Sequence, residues 1–231
     1  MEQMVNAIPG AKLIEHIRDA HTATHIIVTD GTTDIRRTCK LMIALCRSNR
    51  LLTLNWLIDS SKQNKALDIA SYRIKYNASY CRSLEQQYTD FSIRTTLRNI
   101  EHRKTLLFQG WYINVCPKVA GNKAPTMNEF QYIIEAAGAT YITNLKNIAV
   151  IDNNNNDDVD DNTGTNTMNI LMITSDPPTK TQLTHIEKQT KQHLLSSDPV
   201  LKHKTTIPVR HHHHRTTTWF FHTITAQEIT L

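Results

Sequence analysis

The stretch from Thr24 to Gln63, THIIVTDGTTDIRRTCKLMIALCRSNRLLTLNWLIDSSKQ, constrains the fold more than any other part of the chain. It reads as a short buried strand, a loop, an amphipathic helix, a second short strand and a second helix carrying Trp56. His25–Val28 is brief and rich in β-branched residues, as a covered strand requires. Asp34 is placed to cap the next helix. From there Ile35, Cys39, Met42, Ile43 and Cys46 recur at helical spacing and define one apolar face. Arg36, Arg37, Lys40 and Arg47 fall on another arc of the same helix. On a helix Arg37 and Lys40 would rise about 5–6 Å apart, a pair suited to holding an anion.

The chain of 231 residues has room for one large domain or two of roughly 100 residues each. A second unit opens at Leu106–Cys116 (LLFQGWYINVC), an apolar strand with a glycine–aromatic step. Pro125–Ala137 follows as a helix, its stripe traced by Met127, Phe130, Ile133, Ile134 and Ala137. Gly138-Ala139-Thr140-Tyr141-Ile142 then repeats the pattern of Gly10-Ala11-Lys12-Leu13-Ile14, which points to an internal repeat. Met1–Ile8 reads as a helix stopped at Pro9-Gly10, and Lys12–Ile17 as a short strand.

Further along, Phe91–Lys104 is helical by pattern, Asn169–Ser175 is a strand, and Thr179–Leu195 is a polar helix. Ile207–Val209 forms a short strand, and Thr216–Leu231 carries Trp219-Phe220-Phe221 in a last helix. Asp152–Asn162 holds five Asp, five Asn and one Val, too little apolar material for a core, so it is expected to be an exposed, disordered insertion. It also lacks the spacing, central Gly and terminal Glu of an EF-hand loop.

Those parts, taken in order, resemble the BRCT domain, a small α/β module of genome-maintenance proteins. The residues that carry the resemblance are Thr24-His25-Ile26-Ile27-Val28, Arg37-Thr38-Cys39-Lys40 and Leu54-Asn55-Trp56-Leu57-Ile58-Asp59-Ser60. The Arg-Thr-x-Lys sequence is narrower and is similar to tandem BRCT pairs of the checkpoint-mediator type, which read phosphorylated peptides. The resemblance implies an α/β fold of two BRCT-like domains, each a small parallel sheet flanked by helices. It places a first domain at 1–65, a linker with a helix at 66–104, and a second domain at 105–231 with the Asn/Asp-rich insertion at about 152–168. Nothing precedes the first helix, so the first domain is expected to lack its first strand and the loop after it.

In phosphopeptide-reading relatives the end of that strand supplies a hydroxyl and a glycine N–H to the phosphate, and a helix lysine supplies the third contact. By resemblance Lys40 is that lysine, and Arg37 engages the peptide beyond the phosphate, where a guanidinium suits a carboxylate. A backbone group at Pro117 would contribute from the second domain, although relatives have glycine after this proline and Lys118 follows here. Arg36 is expected to face solvent. Trp56 and Trp219 are expected in the cores, and His211–His214 in an exposed basic loop, since four adjacent histidines cannot share one side of a strand.

Composition narrows the classes further. No apolar run approaches the roughly 18–20 residues that span a bilayer. The four cysteines, Cys39, Cys46, Cys81 and Cys116, have no C-x-x-C spacing, which fits reduced thiols. The net charge of +5 favours acidic partners. With six glycines and no Walker loop, G-x-S-x-G or H-E-x-x-H motif, the sequence offers no catalytic constellation, no metal site and no cofactor. The expectation is a non-enzymatic nuclear adaptor that binds a phosphorylated protein or histone tail in the DNA-damage response, without membrane contact. The alternatives are a DNA-binding BRCT module, which would show steep salt dependence, or a phosphate-independent interaction scaffold.

Overall fold

The structure is a computed structural model, and it describes residues 1–85, 92–119, 125–145, 168–195 and 209–229. Two compact units divide it: Met1–Leu107 with His222–Leu231, and Phe108–Phe221.

Unit 1 runs through α1 (Glu2–Asn6), a 3-10 turn (Ile17–Thr22), β1 (Ile26–Thr29), α2 (Cys39–Leu45), β2 (Leu51–Thr53), α3 (Leu54–Lys62), α4 (Arg82–Glu85) and α5 (Ile93–His102). β1 and β2 pair in parallel, Ile26 opposite Leu51 and Ile27 opposite Leu52. Successive strand residues face opposite sides, and β2 shows it. Leu51 packs with Ile35, Leu41, Leu45, Ile93 and Leu97, whereas Leu52 packs with Val5, Ile8, Trp56 and Leu57. The far edge of β2 is closed by an antiparallel bridge, Leu52 to Arg73, and by Ile74 N–H on Leu51 O at 3.1 Å.

Unit 2 holds β3 (Trp111–Val115), α6 (Met127–Ala136), β4 (Thr140–Tyr141), β5 (Met168–Thr174), α7 (Lys180–Leu195), β6 (Val209–Thr216) and the start of α8 (Thr217–Ala226). Its four strands are all parallel in the order β4-β3-β5-β6. A parallel sheet is covered on both faces, and β5 accordingly buries Ile170, Leu171, Met172, Ile173 and Thr174 without alternation. α6 begins with a full capping box, in which Thr126 accepts from Glu129 N–H and the Glu129 carboxylate accepts from Thr126 N–H. Phe108, Phe130 and Phe220 are completely buried; Phe220 stacks on Phe108 at 6.2 Å between centroids and lies tilted against Phe130 at 6.1 Å.

Several expectations need correction. Lys12–Ile17 is not a strand; the 3-10 turn begins at Ile17, inside that stretch. The helix after β1 starts at Cys39 with Thr38 as its cap, not at Asp34, because Ile35 N–H bonds Tyr80 O at 2.8 Å and is held outside the helix. His211–His214 lie within β6, not in a loop. Their backbones pair with β5, and the side chains of the last two diverge. His213 lies 5.4 Å from the Trp111 ring, and His214 Nε2 is 2.9 Å from Thr174 Oγ1. Trp56 is buried as expected, but Trp219 is only half-buried, and Phe220 takes the core position beside it.

Compactness also cuts the chain at other places than 1–65, 66–104 and 105–231. The described part of the expected linker belongs to unit 1, because Ile93, Leu97 and Ile100 of α5 complete its core. The last ten residues, His222–Leu231, belong there too. Thr96 Oγ1 donates to Thr225 O at 3.0 Å and Asn99 Nδ2 to Ala226 O at 3.2 Å, which satisfies carbonyls that the end of α8 would otherwise leave bare. The Asp152–Asn162 run lies outside the described residues.

Candidate ligand-binding site

The segment that leads into α2 is built by local hydrogen bonds. Asp30 Oδ1 accepts from the Thr32 and Thr33 backbones at 2.8 and 2.7 Å. Those two N–H bonds hold the Asp30 carboxyl well below the usual carboxylate range. Thr29 Oγ1 donates to Thr33 O at 2.6 Å and accepts from Gly31 N–H at 3.0 Å, closing the turn after β1. The chain then runs without regular secondary structure from Asp34 to Thr38, and Thr38 Oγ1 caps α2 by accepting from Leu41 N–H at 3.1 Å.

Arg36 and Arg37 therefore lie before the helix and only Lys40 is helical, so the pair Arg37/Lys40 is not one turn of helix. Arg36 is exposed. Arg37 is half-buried, and that burial pulls its pKa down. Lys40 is exposed, yet its ammonium donates to Ile14 O at 2.5 Å and Glu15 O at 3.1 Å. A lysine ammonium has three donors and no acceptor, so one N–H is left for an anion from outside.

Lys40, Thr38 and Arg36 line a cavity of about 1000 Å³ in unit 1; Arg37 is not among its lining residues. Lys40 and Arg36 thus both border that cavity, Arg36 exposed as expected, whereas Arg37 does not line it. Nothing in the sequence marked the Ile14 and Glu15 carbonyls as partners of Lys40. The nearest signal was the repeat of Gly10–Ile14 in Gly138–Ile142, which pointed to a turn and a strand and not to carbonyls facing a lysine.

Pro117 lies in unit 2, at the turn after β3. Its carbonyl accepts from Gln182 Nε2 at 3.1 Å, and buried Gln182 also accepts from Ser175 Oγ at 2.7 Å and Thr179 N–H at 3.0 Å. Lys118 has φ of +62°, a conformation that favours glycine, which is what relatives carry there.

Among the described residues no cluster of His, Cys, Asp or Glu is spaced to hold a metal ion, and no helix is long and apolar enough to cross a membrane. No cysteine is in a disulfide. Burial pushes Cys46, Cys81 and Cys116 up to about 11, which leaves them protonated and poorly nucleophilic.

A four-stranded parallel sheet flanked by helices, and a second unit in which a parallel strand pair is likewise flanked by helices, make the fold of a tandem BRCT pair. The crystal structure of the BRCT5-BRCT6 domains of S. pombe Brc1 is similar to this chain, with a TM-score of 0.55 and 14% identity, over 99% of this chain and 88% of that one. At that identity the likeness is one of fold. No protein-family model matches the sequence, and no curated protein matches it.

Proposed function

We propose that this chain is a non-enzymatic, nuclear interaction module of the DNA-damage response that binds a phosphorylated Ser/Thr peptide, such as a modified histone tail. The observation that carries the reading is Lys40: an exposed ammonium with one N–H to spare, beside the Thr38 hydroxyl and the Arg36 guanidinium, in a tandem BRCT fold. A phosphate brings about −1.5 to −2 charge and three acceptor oxygens, and each charge-assisted bond to it contributes about 1.5–3 kcal/mol. Arg37 and Pro117 remain proposed contacts to the peptide beyond the phosphate. The fold likeness to the BRCT pair of Brc1 supports a binding role.

A second reading is supported by the same lysine. Two of its three donors are spent on Ile14 and Glu15, which fits a lysine that staples the unit together and a scaffold indifferent to phosphate. Fluorescence anisotropy on matched phosphoserine and unmodified peptides with free C-termini separates the two. Phosphate recognition by Lys40 predicts a preference of about tenfold or more for the phosphopeptide, lost in Lys40→Met. Equal affinity for both peptides leaves the scaffold.

A further inference from the structure

Net charge is not spread evenly along the chain. Arg73–Lys104 holds seven Lys and Arg against three acidic residues, so 32 residues carry four of the five net positive charges. The described parts of this stretch, Arg73–Cys81 with α4 and α5, close one core of unit 1 through Ile74, Tyr80, Cys81, Ile93, Leu97 and Ile100. On the outside Arg73, Lys75, Arg82, Arg94, Arg98 and Lys104 are all exposed, so no other segment of the chain covers them. Among the described residues ion pairs join Arg18 to Asp19 and Lys62 to Asp59, and none of these six cations takes part in one. Glu85 is committed to the Ile93 N–H at 3.2 Å, which leaves Glu101 as the exposed acid among the described residues of the stretch. At the far end Arg103 donates to the Cys46 carbonyl, which brings exposed Arg47 to the same border. None of these side chains lines the cavity beside Lys40.

We propose that this face of unit 1 binds a nucleic-acid duplex through its phosphates, without reading its sequence. A protein partner would need apolar or aromatic anchors at the centre of the patch, where charge is depleted. On these elements Tyr76, 38% exposed, is the one large apolar side chain that reaches solvent among the described residues. A single strand would need a row of aromatic rings to stack its bases, and one tyrosine is not a row. What remains is a set of cations spread over several elements, four of the six being arginines, whose planar fork grips a phosphate with two bonds. Arg94 and Arg98 stand one turn apart, about 6 Å along α5. That layout suits a polyanion with a phosphate about every 3.4 Å of each strand, and not the lone phosphate of a peptide. The inference does not rest on phosphopeptide recognition at Lys40.

The test is fluorescence anisotropy of the full chain with two unrelated labelled DNA duplexes, between about 50 and 200 mM salt. Both should bind equally, with Kd of about 1–100 µM, and lose about a hundredfold in affinity across that range, as four neutralised phosphates require. Arg94→Gln with Arg98→Gln should reduce the log–log salt slope by about 2. Lys62→Gln with Lys65→Gln, at the end of α3 on the opposite core, should leave it unchanged. All four side chains are exposed, so both variants should keep the parent melting curve, and the slope of the parent chain tests the proposal without either. Absence of saturable binding, an affinity indifferent to salt, or an equal loss from the Lys62/Lys65 pair would each overturn it. Displacement of the duplex by polyglutamate as readily as by unlabelled duplex, at equal charge concentration, would assign the face to an acidic protein and overturn it as well.

Discussion

Gly138–Ile142 and Gly10–Ile14 share a left-handed glycine turn and an apolar tail, yet only the first leads into a strand. The difference lies outside both runs. In unit 2 Tyr112 and Ile113 supply the hydrogen-bonding partners, and in unit 1 no strand stands in that place among the described residues. Strand character here belongs to the neighbourhood of the run, not to the run. The same contrast shows in burial. Ile113 and Ile170–Ile173 are almost fully buried, whereas Ile26, Ile27 and Val28 of β1 remain half-buried.

If that contrast is energetic as well as geometric, equivalent truncations must cost different amounts. Phe220→Ala removes a ring packed against Phe108 and Phe130 and is expected to destabilise unit 2 by about 3–5 kcal/mol. Ile27→Ala, on the half-covered strand, is expected to cost about 1 kcal/mol. Urea denaturation of the two variants checks this, and similar losses would erase the distinction.

Unit 1 also carries side-chain ties around the end of α5. Arg103 donates one guanidinium nitrogen to Gln227 Oε1 and another to Cys46 O, and Gln227 Nε2 donates to Ile224 O at 2.6 Å. Arg103→Met leaves two shielded acceptors without donors, for an expected loss of about 2 kcal/mol in the same assay. A neutral outcome would mean that α5 is held by its apolar face alone.

The smallest effect concerns His25, stacked on Trp56 at 4.7 Å and bonded through Nδ1 to Thr24 Oγ1. Burial, and then Arg50, lower its pKa below the ordinary 6.5. A depressed histidine favours the folded state while neutral, so its contribution is complete above 6.5 and is lost as pH falls through the lower folded value. The melting temperature of unit 1 should drop modestly from pH 7.5 to 5.5, and His25→Gln should flatten that slope.

Most of the architecture was legible because the elements that carry it are locally consistent. Leu54–Lys62 around Trp56, and Met127–Ala136 with its Thr126/Glu129 box, need no distant information to be recognised. Ile35 shows where reading stopped. Its apolar period with Cys39 announced burial, and it is buried at 1% exposure, but Tyr80 claims its N–H and the helix begins four residues later. The surroundings of the candidate site were out of reach for the same reason. Lys40 could be named from its motif, but the carbonyls that hold it are 25 and 26 residues away in sequence, and no pattern points at a carbonyl.

The histidine run has a consequence of its own once β6 is the outermost strand of the sheet in unit 2. Six of its eight residues, Arg210 through Arg215, are arginine or histidine. Charge on an edge strand makes it a poor template for pairing with a like edge, and two of these six, the arginines, carry charge at neutral pH. Such charges discourage edge-to-edge pairing, and the β1 residues Ile26–Thr29 carry none.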